Sequence, residues 1–225
     1  MGPRWLPLGN NRHECRRGEL ERDGNSRVQD LDRYVLVGDS FGAAVALTLA
    51  VRRPPQLRGL VLSGGFASDP LKGVLPKIGS YMAPLMPGLL YRQLTLRTHA
   101  LLLRSPHDTG PGAEIRWPLR ASRQLFVRST SLPSYVGRVR AVQACDLRDR
   151  LPNVEVPTLV LSPSYDHLVG EDATKELCRG IARAEHVVLP DTGHMFRFSH
   201  PGLYAAAVTG FLERAGVTSL KAEAR

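Results

Sequence analysis

One serine of this chain stands in a pattern that is typical of a nucleophile. Ser40 is the central residue of Gly-Asp-Ser-Phe-Gly, which matches G-x-S-x-G. The apolar run 34–39 predicts a strand directly before it, and the alanine- and leucine-rich run 41–53 predicts a helix directly after it. Such a turn pushes a serine hydroxyl out above a sheet, and Gly38 and Gly42 leave room for it. The pattern therefore predicts nucleophilic catalysis.

A serine hydroxyl is a weak nucleophile until a base takes its proton, so a histidine and an acid must accompany it. His194 follows the predicted strand 186–189, in the loop Pro-Asp-Thr-Gly-His-Met. Asp166 follows the predicted strand 156–162. Because parallel strands bring their carboxyl ends to one edge of a sheet, we expect both side chains to meet Ser40 there, and the chain order Ser, Asp, His agrees.

Four further aspartates compete for a role. Asp191 lies three residues before the histidine, and its setting in Asp-Thr-Gly is typical of a turn. Asp146 and Asp149 precede the strand 156–162, and we expect both on the surface. Asp39 could act as a nucleophile itself, but the centre of the pentapeptide belongs to the serine.

Each of the three leading residues also has a structural alternative. Ser40 could be a small residue that merely fits a turn between a strand and a helix, and His194 could be an ordinary loop residue. Asp166 could cap the helix that follows it. The agreement of three patterns in one chain order favours catalysis over these separate roles.

The predicted elements that would position these side chains alternate between apolar strands and helices. The strands 34–39 and 59–63 show no polar alternation, which is typical of strands buried on both faces. A helix is predicted over 171–184. Another begins near residue 201, ends at Gly216 and has apolar residues three and four apart, namely Tyr204, Ala207, Val208, Phe211 and Leu212. The alternation predicts an α/β fold whose parallel sheet carries helices on both faces.

The alternation breaks over residues 66–145, which hold many prolines and the amphipathic stretches 91–104 and 113–128. We interpret residues 66–145 as an inserted helical lid. The other predicted divisions are an irregular N-terminal segment, two core segments and a C-terminal tail, over residues 1–33, 34–65, 146–217 and 218–225 respectively. Within the lid, some apolar side chains could line a substrate pocket for an acyl group or form the lid's own core: Met82, Met86 and Tyr91.

The serine, aspartate and histidine and the elements around them resemble the α/β-hydrolase family over residues 34–215. The closest likeness is to lidded esterases, lactonases and serine-peptidase-like members, which insert a helical cap after the sixth strand. By this resemblance the chain holds a partial α/β-hydrolase fold, a mostly parallel sheet whose strands match the fifth to the eighth of the family.

The resemblance also implies a mechanism. Ser40 would be the nucleophile, His194 the general base and Asp166 the acid that orients the histidine. The backbone N–H of Phe41 would be one donor to the oxyanion. The implied reaction is hydrolysis of a carboxylic ester, a lactone or a small amide through an acyl-enzyme, without a cofactor or a metal.

The N-terminal region departs from the family pattern. Family members carry several strands before the nucleophile strand, and an H-G-type loop among them supplies a second oxyanion donor. Only 33 residues precede Tyr34, and no such motif stands among them. Loss of one donor costs ~3 kcal/mol of transition-state stabilisation.

Three explanations of this departure stay open: a start that omits upstream sequence, a shortened protein, or a partner chain that completes the sheet. The composition of residues 1–33 favours the first. The alternative function is that of a catalytically weak or inactive hydrolase-like protein, which binds a small ligand or a partner through the lid pocket.

The composition indicates which kinds of partner to expect. The net charge is +9, but the 30 lysines and arginines are spread along the chain without a nucleic-acid-binding motif, which predicts no nucleic-acid partner. No apolar run reaches the ~18 residues of a membrane-spanning helix. Three isolated cysteines, Cys15, Cys145 and Cys178, lack the spacing of a zinc site. We expect a cytoplasmic protein with a small-molecule substrate, and self-association into a homo-oligomer stays open.

Overall fold

The computed structural model describes residues 33–70, 105–116 and 118–217, together with single positions between 85 and 97. In this part of the chain four parallel strands form one sheet in the order β1-β2-β3-β4. Their bounds are Tyr34–Asp39, Leu57–Ser63, Thr158–Tyr165 and Ala184–Gly193. The predicted α/β architecture with a parallel sheet is confirmed.

Helices separate the strands and follow the last one. In chain order, α1 to α7 span Phe41–Ala50, Pro106–Thr109, Leu119–Ser129, Leu132–Gln143, Glu171–Gly180, Phe196–Ser199 and Pro201–Arg214. A 3₁₀ turn over Arg148–Asn153 precedes β3. Helices α2, α3 and α4 fall within residues 66–145, whose role as a lid stays a prediction, as do the other predicted divisions of the chain.

Strand β2 is buried on both faces, as its apolar run predicts. Leu62 lies in one cluster with Leu47 of α1 and Leu177 of α5. Val61, the preceding residue, points to the other face and lies in a second cluster with Phe211 of α7. The sheet therefore forms two apolar layers, and helices cover each of them.

Strand β1 is not buried on both faces, and the prediction for it was wrong. Only Gly38 of this strand is buried, and the Val37 side chain is 52% exposed. Within the described residues β1 pairs with β2 alone, so it lies at an edge of the sheet. An apolar run predicts a strand, but its burial depends on neighbours that the run does not specify.

Prolines set two helix boundaries that the patterns misplace. The first helix ends at Ala50 rather than at residue 53, because Arg53 precedes a proline and adopts φ 54° instead of a helical conformation. Helix α3 begins directly after Pro118 rather than at residue 113. The predicted amphipathic stretch 91–104 lies outside the described residues except for single positions. The last helix is confirmed, with its predicted apolar side chains packed on the sheet.

Candidate active site

The nucleophile candidate lies in a strained turn between β1 and α1. Ser40 adopts φ 53° and ψ −116°, a conformation that residues other than glycine rarely take. Its N–H donates a hydrogen bond to the carbonyl oxygen of Ser63 at the end of β2, at 2.8 Å. The turn is thereby tied to the carboxyl edge of the sheet, where the sequence predicts it.

The glycines that flank Ser40 are not equivalent. A Cβ on Gly38 would lie 2.4 Å from the carbonyl oxygen of Gly42 and 2.6 Å from the Cα of Ala43, so the strand and helix approach each other only because residue 38 is glycine. A Cβ on Gly42 would meet no atom of the described residues within 4 Å. The prediction that both glycines make room for the turn is right for Gly38 and wrong for Gly42, whose missing side chain would point into open space.

Asp166 lies just beyond the end of β3, and two sets of contacts fix its carboxylate. Its Oδ1 accepts hydrogen bonds from the backbone N–H groups of Leu168 and Val169, each at 2.9 Å. Its Oδ2 lies 2.8 Å from Nδ1 of His194. Helix α5 has Gly170 at its N-cap and no side-chain cap, so the alternative in which Asp166 caps that helix is wrong.

His194 directly follows β4 and joins the other two residues. Its Nε2 lies 3.0 Å from Oγ of Ser40, while Nδ1 contacts Asp166 on the opposite side of the ring. The side chains of His194 and Asp166 are 7% and 6% exposed. The structure therefore brings the three predicted residues together in one continuous chain of hydrogen bonds at the carboxyl edge of the sheet.

The charges around the imidazole favour its protonated form. Burial lowers the pKa of His194, but the hydrogen bond and the charge of Asp166, with the charges of Asp39 and Asp108, outweigh burial and raise that pKa above its ordinary value. A base of this kind can take the proton of Ser40 and hold it as an imidazolium beside a carboxylate. The arrangement can thus generate a serine alkoxide while an acyl carbon is attacked.

The competing aspartates lie elsewhere. Asp191 is exposed and adopts φ 52°, but it lies near the end of β4, where the pairing with β3 is irregular, so the predicted turn is wrong. Asp146 and Asp149 are both exposed, as predicted, and the pairing of Asp146 with Arg148 lowers the pKa of that carboxyl to about 2.

Asp39 adjoins the site without entering the chain of hydrogen bonds. Its Oδ2 lies 3.2 Å from Nη2 of Arg197. Burial raises the pKa of Asp39, and the charge of Arg197 opposes that effect. Engagement of the carboxylate by a guanidinium argues against its use as a nucleophile.

Asp108 is a residue of this region that the sequence patterns missed. It lies in α2, and its carboxylate is fully buried against the loop that carries His194. It accepts hydrogen bonds from the N–H groups of Gly193 and Met195, the two neighbours of the histidine. A Ser-Pro pair at 105–106 marks a helix start, but no local signal indicates that the aspartate of this short helix reaches residues 85 positions away.

The region around Phe41 holds one further contact of the segment between β2 and β3. Phe41 is the first residue of α1, so its N–H is one of those that a helix leaves without an acceptor of its own. The Arg138 guanidinium of α4 lies 5.9 Å from the centre of the Phe41 ring. The predicted pocket residues Met82, Met86 and Tyr91 lie outside the described residues.

In the part of the chain that the structure describes, no group of three or more histidine, cysteine, aspartate or glutamate side chains is arranged to hold a metal ion. None of the helices described is long and apolar enough to cross a membrane.

Comparison with known proteins identifies the class to which this fold and site belong. The model of the alpha/beta hydrolase family matches residues 11–207. The chain therefore belongs to the alpha/beta hydrolase family, which confirms the resemblance.

Similar proteins include two curated bacterial hydrolases. The 2-hydroxymuconate semialdehyde hydrolase of Pseudomonas sp. strain CF600 is 28% identical over 200 residues, which are 85% of this chain and 66% of that protein. The 2-hydroxy-6-oxononadienedioate/2-hydroxy-6-oxononatrienedioate hydrolase of Klebsiella pneumoniae is 27% identical over 82% of this chain and 64% of its own length. The chain thus spans slightly less than two thirds of these relatives.

A solved structure agrees with the family assignment. MGS-M2, an alpha/beta hydrolase enzyme from a Medee basin deep-sea metagenome library, superposes with a TM-score of 0.62 at 25% identity. The match covers 87% of this chain and 69% of that protein.

Proposed function

We propose that this chain is a serine hydrolase that cleaves a carboxylic ester, a lactone or a small amide through an acyl-enzyme on Ser40. The observation that carries the proposal is the position of the His194 imidazole, 3.0 Å from Oγ of Ser40 on one side and 2.8 Å from Oδ2 of Asp166 on the other. A nucleophile, a base and an orienting acid within hydrogen-bond reach are the parts that acyl transfer to serine requires.

In the first half of the reaction Nε2 of His194 takes the Ser40 proton as Oγ attacks the carbonyl carbon. The carbonyl oxygen gains negative charge, and the backbone N–H of Phe41 at the helix N-terminus donates a hydrogen bond to it. His194 then gives its proton to the leaving group, and the bond between the acyl carbon and that group breaks. The acyl chain is left on Ser40.

In the second half a water molecule replaces the leaving group. His194 takes a proton from the water as the water oxygen attacks the acyl carbon. When the ester bond between the acyl carbon and Ser40 breaks, His194 returns a proton to Oγ of Ser40. Asp166 keeps Nδ1 protonated throughout, so that Nε2 faces the reacting groups. The two N–H groups that bind its Oδ1 hold the carboxylate in place.

A second candidate is hydrolysis of a carbon–carbon bond beside a carbonyl group. Two curated relatives favour it, because their names specify substrates with an aldehyde or a ketone rather than an ester. The same serine, histidine and aspartate would serve, since an acyl carbon is again transferred. The leaving group is then a carbon atom, which His194 or the substrate's own hydroxyl must help to protonate.

Substitution of two serines tests the proposal. Ser40→Ala is expected to lower turnover of p-nitrophenyl butyrate about 10⁴-fold or more at unchanged melting temperature. Ser162→Ala is the matched control, because Ser162 also contacts a histidine, with its Oγ 2.8 Å from Nε2 of His186, but lies within β3. Unchanged activity of the Ser40 variant would remove the proposal.

A comparison of substrates separates the two candidates. Wild-type protein is given p-nitrophenyl butyrate and, separately, a 2-hydroxy-6-oxo-dienoate whose absorbance falls when the carbon–carbon bond breaks. Faster turnover of the ester supports the first candidate, and faster turnover of the dienoate supports the second. Inactivity on both, without labelling of Ser40 by a fluorophosphonate, would indicate the ligand-binding alternative.

A further inference from the structure

The carboxylate of Asp108 contacts the backbone on both sides of His194. Its Oδ1 accepts from the N–H of Gly193 at 3.2 Å, and its Oδ2 accepts from the N–H of Met195 at 3.1 Å. Ser199, in α6, donates its hydroxyl to Oδ1 at 2.6 Å. Three donors from the histidine loop and the helix after it thus converge on one carboxylate that comes from the segment between β2 and β3.

We propose that Asp108 is a positioning residue that fixes the backbone of the His194 loop, so that the imidazole stays aligned between Ser40 and Asp166. The inference rests on the proposed function and adds to it a contribution from the lid segment. A displacement of about 1 Å of a catalytic group can cost ~10²-fold in rate, so a support of this kind acts on turnover.

The Asp108 carboxylate is closely packed against its neighbours. Asp108 is fully buried, and a buried carboxylate is costly unless hydrogen bonds satisfy its oxygens. A Cβ on Gly193 would lie 2.4 Å from Oδ2 of Asp108 and 2.4 Å from the Cβ of Ser105. The histidine loop and α2 therefore approach each other at a distance that only glycine permits at position 193.

The same short helix also reaches the loop that carries the acid. The His107 ring stacks on the Tyr165 ring, with 3.9 Å between the ring centres and an angle of 3° between the planes. Tyr165 is the residue before Asp166. Adjacent residues of α2 therefore contact the backbone beside His194 and the last residue of β3, directly before Asp166.

The charge of Asp108 adds a second effect. Burial lowers the pKa of His194, while Asp166, Asp39 and Asp108 raise it. Neutralisation of Asp108 is therefore expected to lower the pKa of the imidazole. The pKa of His194 therefore reports the loss of this charge, whereas kcat and the labelling rate report the alignment of the ring.

Three variants of the full chain test the inference. Asp108→Asn removes the charge and turns an amide N–H toward the N–H of Met195. Ser199→Ala removes one hydrogen bond without a change of charge. Glu114→Gln is the matched control, because Glu114 lies in the same segment and accepts N–H bonds from Gly202 and Leu203 at the start of α7.

The measurements are kcat and KM for p-nitrophenyl butyrate, the rate of fluorophosphonate labelling of Ser40, and the pKa of His194 by NMR titration. Asp108→Asn is expected to lower kcat roughly 10- to 100-fold at unchanged KM, to slow labelling and to lower the pKa of His194. Ser199→Ala should lower kcat less and leave the pKa unchanged. Glu114→Gln should change only the melting temperature.

Equal kcat, labelling rate and His194 pKa in Asp108→Asn and Glu114→Gln would overturn the inference. If Asp108→Asn does not fold, a kcat of Ser199→Ala equal to that of Glu114→Gln overturns it, and a lower kcat at unchanged KM supports it. A wild-type protein that neither turns over nor labels would refute the proposed function. In that case a low His194 pKa in Asp108→Asn and a displaced His194 ring in Ser199→Ala, observed by NMR, would still support the positioning role.

Discussion

At the scale of single residues, the site depends on how Asp166 divides its two oxygens. One oxygen accepts two backbone N–H groups of its own loop, and the other faces the His194 ring. The backbone N–H groups therefore hold the carboxylate of Asp166 in place, and the carboxylate in turn holds the imidazole of His194 in the orientation that contacts the Ser40 hydroxyl. Such prior ordering is what lets a buried base of raised pKa act on serine without reorganisation of its surroundings.

The raised pKa of His194 predicts the direction of the pH dependence. The base must be neutral to accept the Ser40 proton, so kcat/KM should rise with pH and reach half its maximum above the ordinary histidine pKa of about 6.5. Asp166→Asn should move this midpoint to lower pH, because it removes the main contributions that raise the pKa while the burial that lowers it stays, and should lower kcat about 10⁴-fold. The pH profiles of both proteins on an ester substrate check this, and a midpoint that moves to higher pH would contradict it.

Several site residues could be predicted from the sequence because their signals are local. Ser40, Asp166 and His194 each follow an apolar strand, and parallel strands place such positions at one edge. Asp108 could not be predicted, because its role arises from contacts with residues 85 and 87 positions later in the chain. The difference between Gly38 and Gly42 could not be predicted either, since the pattern G-x-S-x-G treats its two glycines alike.

At the scale of secondary-structure elements, the crossing of β1 and α1 determines where the nucleophile stands. The helix packs on the strand at Gly38, where any side chain would collide with backbone atoms. Backbone atoms cannot rotate away as a side chain can, so the collision must move the whole helix. The position of Ser40 above the sheet thus depends on the contact of Gly38 with Gly42 and Ala43, on either side of it in the chain.

A matched pair of glycine variants tests this packing. Gly38→Ala places a Cβ 2.4 Å from a carbonyl oxygen and is expected to lower the free energy of unfolding by about 3 kcal/mol. Gly42→Ala meets open space inside a helix and should change stability by no more than about 1 kcal/mol, in the stabilising direction. Urea unfolding of both variants measures the difference, and equal stabilities would show that the strand and the helix do not cross as described.

The elements themselves were predictable in kind but not in all their surroundings. Strand β2 and helix α7 follow their apolar patterns, because neighbours on both sides bury the strand and one face of the helix packs on the sheet. Strand β1 shares the pattern of β2 but lies at an edge within the described residues. The exposure of β1 depends on its place in the sheet, which cannot be predicted from its own six residues.

At the scale of the whole molecule, an exposed apolar side chain accompanies this edge. The Val37 side chain of β1 is 52% exposed. Within the described residues β1 pairs on one side only, and an edge strand that carries a large exposed apolar side chain promotes association between chains. We therefore expect the chain to associate at micromolar concentration through the β1 edge.

A charged substitution at the edge tests that expectation. Val37→Lys should lower the associated fraction measured by light scattering and leave the free energy of unfolding within about 0.5 kcal/mol of the wild-type value. Thr209→Lys adds the same charge at an exposed position of α7 and serves as the control. Equal association of the two variants would indicate that the β1 edge at Val37 does not mediate it.

His194 is proposed to take the proton of Ser40 while Asp166 holds the imidazole ring. Mass spectrometry of the chain, mixed with a p-nitrophenyl ester and quenched within seconds, measures whether Ser40 is acylated in this way. We expect one acyl group per chain, located on the peptide that contains Ser40, and no acyl group in His194→Ala. Acylation of another residue, or equal acylation of the two proteins, would contradict it.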